Sequence, residues 1–545
     1  MILILLLPYL VKYRISNNKK LRSIHSKRLN GTIHMMKFTY IFTLLFFCIW
    51  GCKPEQSQLM PVTQDFCSEI HATEDMTMDD ALYAIKDSMV NQTGVFVLEE
   101  GNTSLLSRAW LSEHAASTID VQYFIFSTDN LGLIACDYLV RAADRGVTVR
   151  IIVDDIMVDA EVYDIVTLDA HPNIEIKIYN PGVNLGRNLF QKIQKFTTDF
   201  RSANQRMHNK TFIVDNKISI TGGRNVQNEY FDFGHEFNYL DRDVLLLGNI
   251  VPTITNSFND FWNYEQSIPV NELIETKHQI AYDSTIFDPL HQYACNPENF
   301  RPEVREEIRR LPEVFGQLID EKAIVWTDSV FFISDDPGKN DGTEGLGGGG
   351  QSTTALMNLI QEAQHSVTIQ SPYLVTTELS RDLFKATVDR GVTVRILTNS
   401  LGSTDNLEAF SGYQRDREEL LETGVEIYEF KPDAAIRRER MKSILTTDQD
   451  FSPIFGLHTK TMVVDDHISV VGTFNLDPRS ANLNTECLAI FYSDEITARI
   501  KENVDQEMLP ENAWRVTKDF NPDKEVSSMK RVKTWTRKIL PKDIL

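Results

Sequence analysis

Residues 207–225 read MHNKTFIVDNKISITGGRN, and residues 457–475 read LHTKTMVVDDHISVVGTFN. Both stretches place His, Lys, Asp, Gly and Asn at the same spacing inside similar apolar text. The shared positions are His208, Lys210, Asp215, Gly222 and Asn225, and again His458, Lys460, Asp465, Gly472 and Asn475. One His-x-Lys has little meaning, but two copies of a five-point pattern predict a duplicated fold.

Each copy is typical of a β-hairpin with polar side chains at one end. Residues 211–214 and 461–464 are β-branched and apolar, and residues 218–220 and 468–470 predict the returning strands. In an extended segment, side chains two residues apart share a face, so the His and Lys of each copy project together. The glycine of each copy fits a close backbone approach, and the asparagine follows on the loop.

The duplication is wider than the hairpin. The octapeptide DRGVTVRI occurs at 144–151 and again at 389–396, and the strand-like text of 174–181 is mirrored at 425–432. Each half reads strand, helix, strand, helix, strand and hairpin, which predicts an α/β sandwich with a parallel or mixed sheet. We therefore expect two repeated domains related by a pseudo-twofold axis.

A face-to-face arrangement of the halves would oppose His208 and His458 between Lys210 and Lys460. Cations and amides bind an anion, one histidine attacks phosphorus, and the other protonates the leaving oxygen. The sequence thus predicts a phosphoryl-transfer site. The expected catalytic residues are His208, Lys210, Asn225, His458, Lys460 and Asn475.

Several carboxylates are candidates for supporting roles. A nucleophilic histidine needs an acceptor on its second nitrogen. Glu486 opens the strand after the second motif and Asp243 opens the matching strand in the first half, but seven extra residues there leave Asp241 as an alternative. Asp215 and Asp465 follow buried strands, so we expect a turn or an ion pair from them rather than direct chemistry.

The text around the motifs resembles the phospholipase D superfamily from about residue 90 onward. Within that superfamily it looks like the bacterial cardiolipin synthases of the C type. The segments that carry this resemblance are MHNKTFIVDNKISITGGRNVQNEYF, LDAHPNIEI, TNSLGSTDN and GTFNLDPRSANLNTE.

The resemblance implies two phospholipase D-like α/β sandwich domains with the active site at their interface. It implies ping-pong phosphatidyl transfer through a phosphohistidine, with His208 as nucleophile, His458 as acid and Glu486 as orienting carboxylate. Because two lysines supply positive charge, no metal or cofactor is expected. The expected substrates are phosphatidylglycerol and possibly another phospholipid. Alternatives are hydrolysis by a phospholipase D or phosphodiesterase and, less favoured, nuclease activity.

Charge and the N-terminal residues bear on partners and location. The 545-residue chain has a formal charge of −22, although residues 1–51 hold eight Lys or Arg and no acidic residue. Such an acidic body disfavours nucleic acid as a partner. We expect a monomer that acts at a membrane surface.

Residues 38–50 form an apolar run behind Lys37, which fits a secretory signal better than a spanning helix. Gly51-Cys52 resembles a lipoprotein cleavage box, so Cys52 is a candidate for lipidation; the alternative is an uncleaved single-pass anchor. Under both interpretations the protein is exported and attached to a bacterial membrane. The unusual residues 1–35 suggest that translation starts at Met35 or Met36.

The six cysteines show no zinc spacing. Cys136 and Cys487 lie in apolar text and are interpreted as core thiols. Cys67 and Cys295 could pair in an oxidising compartment, but free or buried thiols are the favoured interpretation.

The remaining predictions concern the glycine-rich loop, the tail and the domain boundaries. Residues 335–352 are glycine-rich, which fits a mobile flap or a plain flexible loop. Basic and apolar residues in the tail fit either an amphipathic helix on an anionic bilayer or a helix packed on the protein itself. The expected segments are a leader at 1–51, a linker at 52–89, a first domain at 90–265, a bridging segment with the glycine-rich loop at 266–352, a second domain at 353–510 and a basic tail at 511–545.

Overall fold

The computed structural model describes residue 67 and residues 77–155, 162–182, 204–274, 280–300, 304–306, 308, 323–341, 346–441 and 453–545. The chain divides into two compact units, Met1–Thr63 and Gln64–Leu545. The predictions for the leader, for Cys52 and for a start at Met35 or Met36 lie outside the described residues. All described residues lie in the second unit, Gln64–Leu545.

Two large β-sheets and a two-stranded sheet form the framework of this unit. The strands are β1 Thr93–Leu98, β2 Thr118–Tyr123, β3 Thr148–Asp154, β4 Ile174–Tyr179, β5 Thr211–Val214, β6 Ile218–Gly222, β7 Phe237–Leu240, β8 Asp243–Gly248, β9 Ser267–Pro269, β10 Val325–Thr327, β11 Val330–Ser334, β12 Ser366–Gln370, β13 Thr393–Asn399, β14 Glu426–Phe430, β15 Ile454–Leu457, β16 Thr461–Val464, β17 Ile468–Gly472, β18 Cys487–Tyr492 and β19 Ala513–Val516.

The two large sheets repeat one strand order. The first runs β10-β1-β8-β6-β5-β2-β3-β4-β9, and the second runs β11-β18-β17-β16-β12-β13-β14-β19. From β8 to β9 and from β18 to β19 the two orders correspond strand for strand. In each, three central strands are parallel and the motif hairpin is antiparallel. The predicted duplicated α/β fold with mixed sheets is confirmed.

Helices connect the strands and cover the sheets. Their starts are locally encoded: Asp129 and Asn406 accept backbone hydrogen bonds at the first turns of the helices that begin at Asn130 and Leu407. The helices are α1 Met78–Leu82, α2 Lys86–Asn91, α3 Gly101–His114, α4 Asn130–Asp144, α5 Val162–Asp169, α6 Val251–Trp262, α7 Val270–Leu273, α8 Asp288–Ala294, α9 Gln351–Glu362, α10 Glu378–Asp389, α11 Leu407–Glu422, α12 Arg437–Arg440, α13 Pro478–Asn482, α14 Asp494–Glu507 and α15 Ser528–Arg537. Among the described helices, none combines the length and the apolar character needed to cross a bilayer.

The two halves share a hydrophobic core. One apolar cluster combines Val95, Ile213 and Phe258 of the first half with Val463 and Phe491 of the second. Two further clusters lie within the first and the second half. Burial of continuous apolar surface across the halves holds them in one arrangement.

Main-chain pairing between the halves fixes the position of both motifs. Strands β7 and β15 pair in parallel, with Leu240 opposite Leu457. The backbone N–H of His458 donates to Leu240 O at 2.7 Å, and that of His208 donates to Thr485 O at 3.0 Å. Each motif histidine is therefore anchored to the other half of the chain.

The segments outside the two predicted domains contribute strands to the sheets. Strands β10 and β11 of the bridging segment form edges of the first and second sheets, and β19 of the tail completes the second sheet. In the described part of the glycine-rich loop, Lys339 Nζ donates to Asp335 at 2.8 Å and to the backbone oxygens of Ser480 and Asn484. These bonds fasten the loop to the second half.

Cys67 and Cys295 are joined by a disulfide bond, so the favoured interpretation as free thiols was wrong. The two cysteines are 228 residues apart, so the sequence left their pairing as the less favoured alternative. Cys136 and Cys487 are free, and Cys487 is buried, as expected of a core thiol.

Candidate active site

Each motif begins in extended chain just ahead of a strand. His208 and Lys210 precede β5, and His458 and Lys460 precede β16. Behind them, a Cβ added to Gly222 would lie 2.5 Å from Arg242 O, and one added to Gly472 would lie 2.3 Å from Cys487 O. The predicted close backbone approach at both glycines is confirmed.

Each motif histidine contacts a carboxylate from the other half. Nδ1 of His208 lies 2.8 Å from Glu486 Oε2, and Nδ1 of His458 lies 2.6 Å from Asp241 Oδ2. All four side chains are buried. A carboxylate on Nδ1 holds the proton there and leaves Nε2 as the reactive nitrogen.

Asp243 does not fill the role predicted for it. Its Oδ2 accepts hydrogen bonds from Ser104 at 2.7 Å and Arg108 at 3.0 Å, inside the first half. Strand register explains why Asp241 takes the role. Gly222 pairs with Asp243, and Gly472 pairs with Leu488, so the residue two positions earlier is Asp241 in one half and Glu486 in the other.

The two lysines are buried beside the histidines. Lys210 Nζ donates to His208 O at 2.7 Å. Lys460 Nζ donates to His458 O at 2.5 Å and lies 3.0 and 3.1 Å from the two ring nitrogens. Burial lowers the pKa of Lys210 to about 8 and that of Lys460 to about 7, although nearby carboxylates oppose the shift.

Both histidines favour the neutral form. Burial lowers the pKa of His208 to about 4, helped by Lys210 and opposed by Glu486. Burial and Lys460 hold the pKa of His458 well below its usual value. Burial alone would raise the pKa of Glu486, but His208 and Lys210 outweigh it and the pKa is lowered. His208 is thus a neutral imidazole on an ionised carboxylate.

The two motif asparagines differ in their surroundings. Asn225 Oδ1 accepts from the backbone N–H of Ile125 at 3.1 Å, and its Nδ2 donates to Tyr230 at 2.9 Å. Asn475 is also buried, but its Oδ1 accepts no hydrogen bond from the residues the structure describes. The two halves of the site are therefore not chemically equivalent.

Aromatic rings that the sequence reasoning missed surround the histidines. Phe124 lies 4.9 Å from the His208 ring, and Tyr230 and Tyr239 each lie 4.9 Å from the His458 ring. The Tyr230 hydroxyl is 3.4 Å from His458 Nε2. The position of Phe124 directly after β2 was the available signal, because that strand neighbours the motif strand.

The aspartates of the two motifs lie in tight turns. Asp215 and Asp465 have positive φ angles of 52° and 53°. The Asp215 carboxylate accepts from the backbone N–H groups of residues 116, 117 and 118. Asp465 accepts in the same way from residues 364, 365 and 366. Each aspartate ties the motif hairpin to the start of a neighbouring strand.

The family described as "Cardiolipin synthase, PLD-like domain", where PLD denotes phospholipase D, matches residues 111–262 and 356–508. The chain belongs to the cardiolipin synthase family of the phospholipase D superfamily. Its two matched regions are the two halves that carry the motifs. It is a phosphatidyltransferase of the phospholipase D type.

Individual proteins are similar to this chain over most of its length. Cardiolipin synthase C of Escherichia coli K12 is 30% identical over 430 residues, which cover 78% of this chain and 87% of that protein. An uncharacterized protein of Helicobacter pylori 26695 is 32% identical and covers 77% of this chain and 80% of its own. The phosphatidylserine synthase of Haemophilus influenzae Rd KW20 shares the fold, with a TM-score of 0.55, 13% identity and coverage of 85% and 99%.

Proposed function

We propose that the protein is a cardiolipin synthase that transfers a phosphatidyl group between phospholipids through a covalent phosphohistidine. His208 is the nucleophile, and His458 is the general acid and base. The observation that carries the proposal is the pair of buried histidines, each bonded through Nδ1 to a carboxylate of the other half and each beside a lysine.

The assignment of the nucleophile rests on the difference between the two histidines. Among the described residues, none donates a hydrogen bond to Nε2 of His208, whose lone pair is then available for attack. Nε2 of His458 lies near Tyr230 and Lys460, at 3.4 and 3.1 Å. Nε2 of His458 is therefore better placed to exchange protons than to attack phosphorus.

The first half-reaction forms one bond and breaks one. Nε2 of His208 attacks phosphorus, the bond from phosphorus to the leaving alkoxide oxygen breaks, and His458 gives that oxygen a proton. The bound phosphate anion favours the protonated form of His458 beforehand. Lys210, Lys460 and Asn475 neutralise or bond the non-bridging oxygens; losing one such donor costs roughly 3–4 kcal/mol in the transition state.

The second half-reaction reverses these roles. His458 removes a proton from the incoming hydroxyl, whose oxygen attacks phosphorus, and the bond between phosphorus and His208 breaks. We propose phosphatidylglycerol as the acceptor, because the cardiolipin synthase relatives are named for a product with two phosphatidyl groups on one glycerol. With water as acceptor the same steps give hydrolysis, which is the second candidate.

Lipid mass spectrometry distinguishes these candidates. Expression in a bacterial strain that lacks cardiolipin should restore it, and the His208→Ala variant should not. Accumulation of phosphatidic acid without cardiolipin would indicate hydrolysis. No change in either lipid would contradict action on phospholipids.

We further propose that the protein is exported, attached to the membrane through Cys52, and active as a monomer without nucleic acid. The disulfide between Cys67 and Cys295 supports this location, because such bonds persist in oxidising compartments. Mass spectrometry of the native protein should find lipid on Cys52 and no free thiol at Cys67 or Cys295. An unmodified Cys52 together with free thiols would contradict it.

A further inference from the structure

Helix α15 exposes an apolar stripe. Met529, Val532 and Trp535 are 65%, 57% and 69% exposed, and Ile539 in the following turn is 83% exposed. Residues three or four apart share a helix face, so these side chains form one continuous row. Among the described residues, no other stretch of this length holds four exposed large apolar side chains.

The opposite face of α15 fastens the helix to the protein. Thr534 is fully buried, and the helix packs on α11. Lys530 Nζ donates to Gly402 O at 3.2 Å, and Arg537 Nε pairs with Glu408 at 2.6 Å. The contacts of Lys530 and Arg537 hold one face of α15 against the protein, so the apolar stripe on the opposite face points away from it.

Basic residues flank the stripe. Arg531 and Lys533 are exposed on either side of Val532. They stand out on a chain whose net charge is −22. Apolar side chains beside Lys and Arg on one helix face fit the interface of an anionic bilayer, where the rings enter the acyl boundary and the cations meet phosphate.

The attachment of α15 leads to the active site through a short chain of contacts. Lys530 bonds the loop that carries Asp405, and Asp405 accepts hydrogen bonds at 3.0 Å from both Tyr239 and Tyr373. The Tyr239 ring lies 4.9 Å from that of His458. A bilayer seated on the stripe would thus be connected to the aromatic ring beside His458 through one loop.

We propose that α15 is a membrane-docking helix that lays Met529, Val532, Trp535 and Ile539 into an anionic phospholipid surface. The proposal rests on the proposed action on phospholipids and adds the surface through which the enzyme reaches them. It is separate from any attachment at Cys52, because that residue would anchor the protein while α15 orients it.

Tryptophan quenching tests the docking directly. The full chain is reconstituted with vesicles of brominated phosphatidylcholine, alone or in an equal mixture with brominated phosphatidylglycerol. The emission of Trp535 is obtained as the difference between the wild-type protein and the Trp535→Phe variant. This emission should be quenched in the mixed vesicles and much less in the neutral ones. If Trp535 remains equally exposed to water, and so unquenched, in both kinds of vesicle, the proposal is overturned, whatever the enzymatic activity.

Turnover on two forms of substrate gives the second test. Val532→Ser combined with Trp535→Ser should lower turnover of vesicle phosphatidylglycerol by about tenfold or more, because large apolar side chains supply the interfacial binding. Turnover of a dispersed short-chain phosphatidylglycerol should stay at the wild-type level. Unchanged turnover on vesicles would overturn the proposal. If no form of phospholipid is turned over, the proposed function fails and the quenching result alone decides docking.

Matched variants separate the stripe from general effects. Leu379→Ser removes an apolar side chain that is 64% exposed on α10 and should change neither measurement. Arg531→Gln and Lys533→Gln should each weaken binding to the mixed vesicles roughly fivefold and leave neutral vesicles unaffected. The protein could instead form a dimer in the absence of vesicles, and this dimer could dissociate in the double serine variant. That result, together with no quenching by lipid, would assign the stripe to self-association and overturn the proposal.

Discussion

Oε2 of Glu486 lies 2.8 Å from Nδ1 of His208, although the two residues are 278 positions apart and belong to different halves. The reciprocal contact joins Asp241 to His458 at 2.6 Å. Each half thus provides a histidine that the other half orients. The duplicated chain forms a single active site, because each motif histidine takes its carboxylate from the other half.

Replacing Glu486 with Gln should lower kcat by about 100-fold or more, because a neutral amide no longer fixes the tautomer of His208. The negative charge of Glu486 raises the pKa of His208, so its removal should also move the acid limb of the pH profile to lower pH. Circular dichroism and steady-state kinetics over pH provide the measurement.

Asp494→Asn is the matched control, because Asp494 pairs with His467 at the surface. It should change neither the rate nor the profile. A Glu486→Gln variant with wild-type kinetics would show that this carboxylate does not orient the nucleophile.

The pH dependence of kcat/KM should be bell-shaped. His208 must be neutral to attack, and its pKa is about 4, so the rate should rise with pH through that region. Two groups contribute on the alkaline side: Lys460, whose pKa is about 7, must be charged to hold the phosphate, and His458, whose pKa is held well below its usual value, must take up a proton to act as the acid, so the rate should fall as pH increases.

Lys460→Arg tests the assignment of the alkaline limb. A guanidinium does not lose its proton in this range, so the limb should move to higher pH even if the maximal rate falls. An alkaline limb that stays in place would assign it to another group.

Asp215→Ala should affect stability more than chemistry. The substitution leaves three backbone N–H groups without their carboxylate and places alanine at a positive φ, which should lower the free energy of unfolding by about 1–3 kcal/mol. Urea unfolding measures this change, and kcat per folded molecule should stay near the wild-type value. Asp215→Asn, which tolerates the positive φ, should be milder. Loss of kcat in a fully folded Asp215→Ala variant would place this residue in the chemistry.

Chelators should leave phosphatidyl transfer intact, because Lys210 and Lys460 supply the positive charge at phosphate. Activity assays after dialysis against EDTA test this expectation. A complete loss that one added metal ion restores would contradict it.

Local periodicity made most of the fold predictable. The β-branched runs before Asp215 and Asp465 and the repeated DRGVTVRI text encode strands and helix ends within a few residues, and two copies reveal the duplication. The motif residues were found for the same reason, since their spacing repeats.

Contacts that depend on long-range geometry were less accessible. The residues between Gly222 and Asp241 include β7, which crosses to the other half, so counting along the chain pointed to Asp243 instead of Asp241. The disulfide partners are distant in sequence. Tyr230 and Tyr239 approach His458 only because the halves pack together.

The central claim, covalent catalysis by His208, is tested most directly by mapping the phosphorylated residue. The His458→Ala variant is incubated with a phosphatidyl ester of p-nitrophenol, whose departure needs no proton donor, and the quenched protein is analysed by peptide mass spectrometry. Without His458 to activate an acceptor, the phosphatidyl group should accumulate on His208. It should be absent when His208 is replaced by Ala in the same background. A phosphatidyl group on any other residue, or on His458 in the His208→Ala variant, would contradict the account.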